Sequence, residues 1–320
     1  MKFYAQKSLI TIVADEVAMG ENAANLVVEN LKKAATEDKK TVMWMMAAPS
    51  GFTFYTSFIK AVENDVELQK IVKNTLFFQF DDYPVGRTDS RFPITFRHLL
   101  ETNFFLPLEK IVGPLKGKTL LELDGTAKDK NTIADYQNKL LSVLKDPQFF
   151  VIEVKGIGMD GHWGFHGSET PLDNPPALMK VPMNTLNIQQ QMLDWPQYFP
   201  NEESVPKEAI TANVALFMLA DMIVDLVPQK GKAFSILATY GPKEVSSLIP
   251  SSKLKEHENS YAFLTEVGSW ALLEYRKSHK SSLDNSIIEK LKEIWENKSN
   301  PTLQKHNEQK MVEILTSLFK

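Results

Sequence analysis

Apolar positions along the chain fall into two alternating patterns, one with helical spacing and one in short unbroken runs, and the alternation predicts an α/β protein. Ala24, Val27, Val28, Leu31 and Ala34 lie three or four residues apart, the spacing that lines one helix face. Thr41 to Ala47 is too short for a helix and ends at Pro49-Ser50-Gly51, so it reads as a buried strand followed by a turn. A second helix is expected from near Thr53, with Phe54, Phe58 and Ala61 or Val62 facing inward, then a strand over Thr75 to Phe80 ending in Asp81-Asp82. Helices over Leu99 to Leu106 and Ala134 to Leu144 precede a third strand, Phe149 to Val154, which enters a glycine-rich loop. Val214 to Leu219 has helical character, and Met222 to Val227 and Tyr261 to Val267 are expected as later strands.

Short strands separated by helices imply a doubly wound, mainly parallel sheet with helices on both faces, a Rossmann-like α/β fold. In such sheets ligands bind outside the carboxyl ends of the strands, where strand order reverses. The loops at residues 49–53, 81–83 and 156–162 all follow strands and would open on one edge. Residues 1–275 are assigned to this domain. From Arg276 the sequence turns Lys/Glu-rich, with apolar Ile287, Leu291 and Ile294, and then Met311, Ile314, Leu315 and Leu318 beyond Asn300-Pro301. Residues 276–320 are therefore expected to form a C-terminal extension of two amphipathic helices, docked on their own domain or serving a homo-oligomer contact.

Composition narrows the chemistry. The 320 residues are 43% hydrophobic, enough for a substantial core, and carry a net charge of -4. Nothing in that charge attracts nucleic acid or an anionic membrane, so neither is an expected partner, and an anionic ligand must be held by a local cluster of donors. With no cysteine, disulfides, thiol nucleophiles and Cys-based zinc sites are excluded. The apolar runs Val42 to Ala48 and Leu9 to Ala14 fall far short of the roughly 20 residues of a spanning helix. Asp15 and Glu16 directly follow the second run, which argues against a signal peptide, and a cytoplasmic location is expected.

Most of the candidate chemistry sits in the three loops. Gly156-Ile-Gly-Met-Asp-Gly-His162 packs three glycines, a carboxylate and an imidazole into seven residues. Glycine allows a tight turn and close approach to a ligand, while Asp160 and His162 offer an acceptor and a titratable ring. Asp81 and Asp82 end an apolar strand, where partial desolvation raises a carboxyl pKa and makes a usable proton acceptor, although a cap or turn role is the commoner fate of such a pair. Ser50, Gly51 and Thr53 stand at a helix start, which favours an anion but equally suits simple capping. Three of the four arginines, Arg87, Arg91 and Arg97, fall within eleven residues and form a candidate anion clamp on a mobile lid, with solvated surface charge as the alternative. His162 and His166 have a metal-like spacing, but Gly161, Gly164 and Gly167 argue against the helix such a site needs, and no metal is expected. A serine hydrolase elbow, G-x-S-x-G, is absent.

In this order the loops resemble those of the glucosamine-6-phosphate deaminase/isomerase family, related to the 6-phosphogluconolactonases. The matching stretches are Pro49-Ser-Gly-Phe-Thr-Phe54, Phe78-Gln-Phe-Asp-Asp-Tyr83, Gly156 to His162 with Phe165, and Val205-Pro-Lys-Glu-Ala-Ile-Thr211, followed by Gly231-Lys-Ala233. The similarity runs from residue 10 to 275. It implies that Asp81 moves a proton between C2 and C1 of an open-chain sugar phosphate, and that His162, oriented by Asp160, serves ring opening. It further implies that Ser50, Gly51, Thr53 and Lys207 bind the phosphate, with Asp82 beside the substrate, and that no cofactor is needed.

Several positions depart from the family pattern. Phe-Asn-Glu is replaced by Phe165-His166-Gly167, leaving Glu169, two residues further on, as candidate for the glutamate that supports the histidine. Phe52 and Phe54 replace a glycine and a proline of the phosphate loop, and residues 183–199 lack the family's phosphate-binding arginine. The expected partner is a small-molecule sugar phosphate and the expected activity isomerisation, with or without ammonia release. The alternatives are a phosphogluconolactonase-like hydrolase, disfavoured by Phe165, and a non-catalytic sugar-phosphate sensor.

Overall fold

The computed structural model describes residues 1–278. Its strands are β1 (Lys2–Ala5), β2 (Ser8–Val13), β3 (Lys40–Met45), β4 (Leu76–Gln79), β5 (Asp81–Asp82), β6 (Gly117–Thr119), β7 (Phe149–Lys155), β8 (Leu178–Pro182), β9 (Glu208–Ala212), β10 (Met222–Val227) and β11 (Ser260–Thr265). Its α-helices are α1 (Glu16–Thr36), α2 (Phe52–Glu63), α3 (Val66–Asn74), α4 (Phe96–Leu100), α5 (Leu106–Val112), α6 (Asp129–Leu144), α7 (Thr185–Asp194), α8 (Val214–Phe217), α9 (Ala233–Tyr240) and α10 (Glu266–Ser278). A wider π turn over Glu101–Phe105 joins α4 to α5. The two amphipathic helices expected in the C-terminal extension lie outside the described residues.

Eight strands form the main sheet in the order β1-β2-β11-β10-β7-β3-β4-β6. Every neighbouring pair is parallel except the N-terminal hairpin β1-β2. All six residues of β10 and the last five of β3 are buried, as expected of parallel strands covered on both sides. On β4 the alternation is visible directly: Phe77 meets Phe104 and Phe105, whereas its neighbour Phe78 meets Tyr136 of α6 on the opposite face.

From β3 the chain moves outward through β4 to β6, then returns to place β7 on the other side of β3. The β3 and β7 loops therefore leave the sheet in opposite directions and open a crevice between them.

Local chemistry sets the element ends. Asp15 accepts the Ala18 amide at 2.8 Å and starts α1 well before the first residue of the sequence pattern. Gly20 lies where a Cβ would come within 2.5 Å of the Thr53 carbonyl carbon, so only glycine lets α1 cross this close to the start of α2. The last strand ends at Thr265 rather than Val267, because the Thr265 hydroxyl donates to Pro228 O and accepts the Gly268 amide at 3.0 Å, beginning α10.

A second, three-stranded antiparallel sheet, β5-β9-β8, stands beyond the end of β4. The sequence pattern did not suggest it, and neither did the pattern over α7 suggest a helix. Both are elements that close the crevice.

Candidate active site

The crevice at the β3/β7 switch holds a cavity of about 50 Å³. Ser50 from the β3 loop, Asp81 from the end of β4, and Gly158 and His162 from the β7 loop all line it. Lys232, just after β10, completes this polar set. Phe96 and Phe165 form an apolar wall, stacked at 5.8 Å with an angle of 7° between their planes.

Asp81 and Asp82 point away from one another, as successive strand residues must. Burial, reinforced by the neighbouring Asp82 carboxyl, pushes Asp81 well above the ordinary carboxylate range. Its segment is pinned by Gln79, whose side chain donates to Asp81 O at 2.8 Å and accepts the Leu121 amide at 2.9 Å. Asp82 does not line the cavity, contrary to its expected place beside the substrate. One of its oxygens accepts the Tyr83 and Phe96 amides at 2.8 and 2.9 Å, while the other accepts the Arg97 amide and Nη1 at 3.2 and 2.8 Å. It is an anchor for α4, and the buried Arg97 is its counter-ion.

On the β7 loop, His162 Nδ1 lies 2.6 Å from Asp160 Oδ1, which also accepts the His162 amide at 3.2 Å. Burial alone would raise Asp160, but the imidazole beside it and these hydrogen bonds hold its carboxyl below the usual range. With Nδ1 committed to Asp160, Nε2 is the ring nitrogen left for a ligand. The ring lies flat on Gly158, where a Cβ would fall about 2.0 Å from it, so this glycine makes the imidazole's seat. Gly161 has a φ of +87°, a conformation that L side chains rarely adopt. Ser251 secures the turn from above, its amide donating to Gly161 O at 2.9 Å and its hydroxyl to His162 O at 3.0 Å.

β9 ties the two halves of the site together. Thr211 pairs with Asp81 across the small sheet, and its Oγ1 accepts the Phe165 amide at 3.1 Å. Beneath the loop, Trp163 stacks on Phe217 at 5.4 Å and donates its Nε1 to the buried Glu153 at 2.8 Å. Lys155 covers the indole at 4.5 Å and is itself paired with Asp225 at 3.1 Å. Burial pushes Glu153 well above its ordinary range.

At the end nearest α2, Ser50 exchanges hydrogen bonds with Gln229 at 2.9 and 3.1 Å, and Lys232 Nζ reaches its hydroxyl at 3.4 Å. Ser50 and Lys232, with Gln229 supporting the Ser50 hydroxyl from behind, thus place a hydroxyl and an ammonium beside the start of a helix, a suitable seat for an anion. Gly51 is buried beside Ser50 without lining the cavity, and Thr53 lies within α2 with a buried, unpartnered hydroxyl. Phe52 packs on Tyr55 at 5.9 Å and Phe54 on Phe58 at 5.7 Å, so neither ring fills the cavity.

Other residues expected at the site lie elsewhere, as Asp82 does. Lys207 is exposed on the approach to β9 and donates to Glu202 O, whereas Lys232 lines the cavity beside Ser50. Glu169 is exposed and borders a separate surface hollow, because the turn held by His166 directs the chain away from His162. His166 spends both ring nitrogens on backbone, Nδ1 accepting the Val214 amide at 3.0 Å and Nε2 donating to Thr170 O at 3.1 Å, so it has none left for a metal. The three arginines do not clamp a ligand in this cavity, which none of them lines: Arg87 pairs with Glu122 at 2.6 Å, Arg91 with Asp89 at 2.7 Å and Arg97 with Asp82 at 2.8 Å.

The residues that sequence reasoning missed come mainly from α7, which covers the crevice with Gln190, Gln191, Asp194 and, just past its end, Trp195. Gln190 fastens the helix to the β7 loop by accepting the Met159 amide at 3.0 Å. The buried Gln191 Oε1 has no partner. Their spacing of one, three and four residues was the available signal. Lys232 was visible within Gly231-Lys-Ala233 but carried no weight there.

No family model matches the chain. It is 28% identical over 247 residues to a glucosamine-6-phosphate deaminase of Streptococcus gordonii, covering 76% of this chain and 92% of that one. A glucosamine-6-phosphate deaminase of Staphylococcus aureus is 27% identical over 212 residues, covering 66% and 77%. Among solved structures, a monomeric glucosamine-6-phosphate deaminase superimposes with a TM-score of 0.67 at 18% identity, over 82% of this chain and 98% of that one. The 6-phosphogluconolactonase of Trypanosoma brucei gives 0.58 at 14% identity, over 82% and 98%. The chain is thus a divergent relative of the glucosamine-6-phosphate deaminases, with a fold that the 6-phosphogluconolactonases share.

Proposed function

We propose that this protein is a sugar-phosphate enzyme of the deaminase/isomerase type, acting on a hexosamine 6-phosphate or a related hexose phosphate. One observation carries the proposal: a desolvated carboxyl, Asp81, and a carboxylate-oriented imidazole, His162, line one cavity that ends at the Ser50 and Lys232 donors.

In this mechanism the phosphate sits against Ser50 and Lys232, which leaves the sugar carbons between Asp81 and His162. His162, held in one tautomer by Asp160, shuttles the proton between ring oxygen and anomeric hydroxyl as the ring opens. Asp81 then takes the proton from C2 and returns it to C1, so the aldose becomes a ketose with no external oxidant or reductant. Its raised pKa makes it a stronger base than an exposed carboxylate, which suits removal of a carbon-bound proton. Where C2 carries an amine, the same shift gives an imine, and water adds to C2 as ammonia leaves. The general base and ring-opening acid are separate groups, which the two proton transfers require.

A cavity of about 50 Å³ holds little more than water, whereas small-molecule sites commonly measure ~300–1,000 Å³. The site is therefore narrower than a hexose phosphate needs, and α7, tied to the β7 loop through Gln190, is the element that covers it.

The test is incubation with glucosamine 6-phosphate, glucose 6-phosphate and 6-phosphogluconolactone, following ketose phosphate, ammonia and lactone loss. Ketose with ammonia identifies a deaminase and ketose alone an isomerase. Lactone hydrolysis without ketose would replace the proposal with the hydrolase, and saturable binding without any product would replace it with the sensor.

A further inference from the structure

A second cavity, of about 420 Å³, opens at the β6 edge of the sheet between α4 and α6. Its floor is Arg97, 1% exposed. Nη1 of that guanidinium donates to Asp82 at 2.8 Å and to Leu121 O at 3.3 Å, and Nη2 donates to Leu123 O at 2.9 Å and to Val85 O. Nε is left buried with no acceptor. A buried guanidinium N–H without a partner is costly, and it marks a place where an acceptor belongs.

The nearest carboxylate oxygen, Glu122 Oε2, stops 4.0 Å from Nε, beyond hydrogen-bond range. Glu122 is tethered at its other oxygen, which lies 2.6 Å from Arg87. One carboxylate therefore spans the gap between two guanidiniums and satisfies only one. Phe92 holds both in place from the side, its ring 5.4 Å from the Arg87 guanidinium and 5.2 Å from that of Arg97. Lys139 reaches the rim from α6. Lys118 also lines the cavity but is engaged with Glu101 and Glu109 at 3.4 and 2.9 Å, so the donors that face a ligand are Arg97 Nε, Arg87 and Lys139, with the His98 ring beside them.

We infer that this cavity is a binding site for a phosphate-type oxyanion, free or as a monoester, which displaces the Glu122 carboxylate and bridges Arg87 to Arg97 Nε with Lys139 at its rim. A tetrahedral dianion has the charge and the spread of oxygens that Glu122 lacks, and arginine's planar fork suits it. The site is separate from the first cavity, with which it shares no lining residue. It is nonetheless linked to it, because the same guanidinium anchors Asp82, next to Asp81.

The test is calorimetric titration of inorganic phosphate and glycerol 3-phosphate into the full chain carrying Lys232→Ala, which disables the anion seat of the first cavity. Saturable one-to-one binding is expected to persist. Adding Arg87→Ala and Lys139→Ala, both exposed positions, should weaken it on the order of tenfold or more, and adding Glu122→Gln should tighten it. Tighter binding of the ester would identify a monoester as the ligand, and tighter binding of phosphate the free ion. Loss of all binding with Lys232→Ala, or an affinity indifferent to Arg87, Lys139 and Glu122, would overturn the inference. Circular dichroism on each variant separates loss of the site from loss of the fold.

Discussion

The two faces of the short strand β5 carry one carboxylate each, and their surroundings are opposite. Asp81 faces the cavity, where burial and its neighbour raise its pKa. Asp82 faces α4 and accepts four hydrogen bonds, one of them from the Arg97 guanidinium; burial raises its carboxyl too, but the counter-ion and these hydrogen bonds oppose that rise. A buried carboxylate left short of donors is thus available for chemistry, while one fully supplied with donors is committed to structure.

The largest expected effect is on the Asp81 face. Asp81→Asn should lower kcat by about 10²- to 10⁴-fold, the usual contribution of a positioned base, and leave ligand affinity in place. Its effect on stability has a definite sign. A carboxyl whose folded pKa is raised costs nothing below the unfolded value of about 3.9, and destabilises progressively as pH rises toward the folded value. Asp81→Asn should thus be at least as stable as the parent in urea melts at neutral pH, and a clear loss would assign Asp81 a structural role.

The Asp82 face should respond in the reverse sense. Asp82→Ala leaves Arg97 buried without its counter-ion and should cost about 3–5 kcal/mol in the same urea melts. A cost under about 1 kcal/mol, the range of an exposed pair, would erase the contrast between the two faces.

Lys232 and Lys207 sharpen the picture at the phosphate end. Lys232→Ala should raise KM for a phosphorylated substrate on the order of tenfold or more, since a charge-assisted hydrogen bond is worth about 1.5–3 kcal/mol. Lys207→Ala should leave KM unchanged, and equal effects in steady-state assays would return Lys207 to the site.

Asp160 gives the smallest effect, in the pH dependence of folding. Its depressed pKa contributes stability above the unfolded carboxylate value, and this is lost as pH falls through the folded value. The difference in unfolding free energy between the parent and Asp160→Asn should be full at neutral pH and vanish in acid. A difference that is constant with pH would mean that the Asp160–His162 interaction is not ionic.

Much of the fold was legible because its parallel strands are buried on both faces and therefore read as unbroken apolar runs, as in Thr41 to Ala47 and Met222 to Val227. The positions of Asp81, Asp160 and His162 followed from strand ends. The small sheet was not legible, since β5 has two residues and β8 mixes buried and exposed ones without an unbroken apolar run. Lys207 was misassigned for a related reason: motif order along the chain does not say which side of a strand a lysine leaves from, and the approach to β9 turns this one to solvent. The role of Arg97 was hidden because its partner, Asp82, is fifteen residues away and no local pattern distinguishes a buried arginine from a surface one. Glu169 failed because the hydrogen bonds of His166 to Val214 and Thr170 turn the chain away from the cavity.

Whether Asp81 is the base that moves the sugar's carbon-bound proton can be read from hydrogen exchange. The protein and its Asp81→Asn variant are incubated in D₂O with glucosamine 6-phosphate and glucose 6-phosphate, and the C1 and C2 protons are followed by NMR, with binding measured in parallel. Exchange is expected with the parent protein and none with the variant, at comparable affinity. Undiminished exchange in the variant, or binding without exchange in the parent, would contradict this assignment.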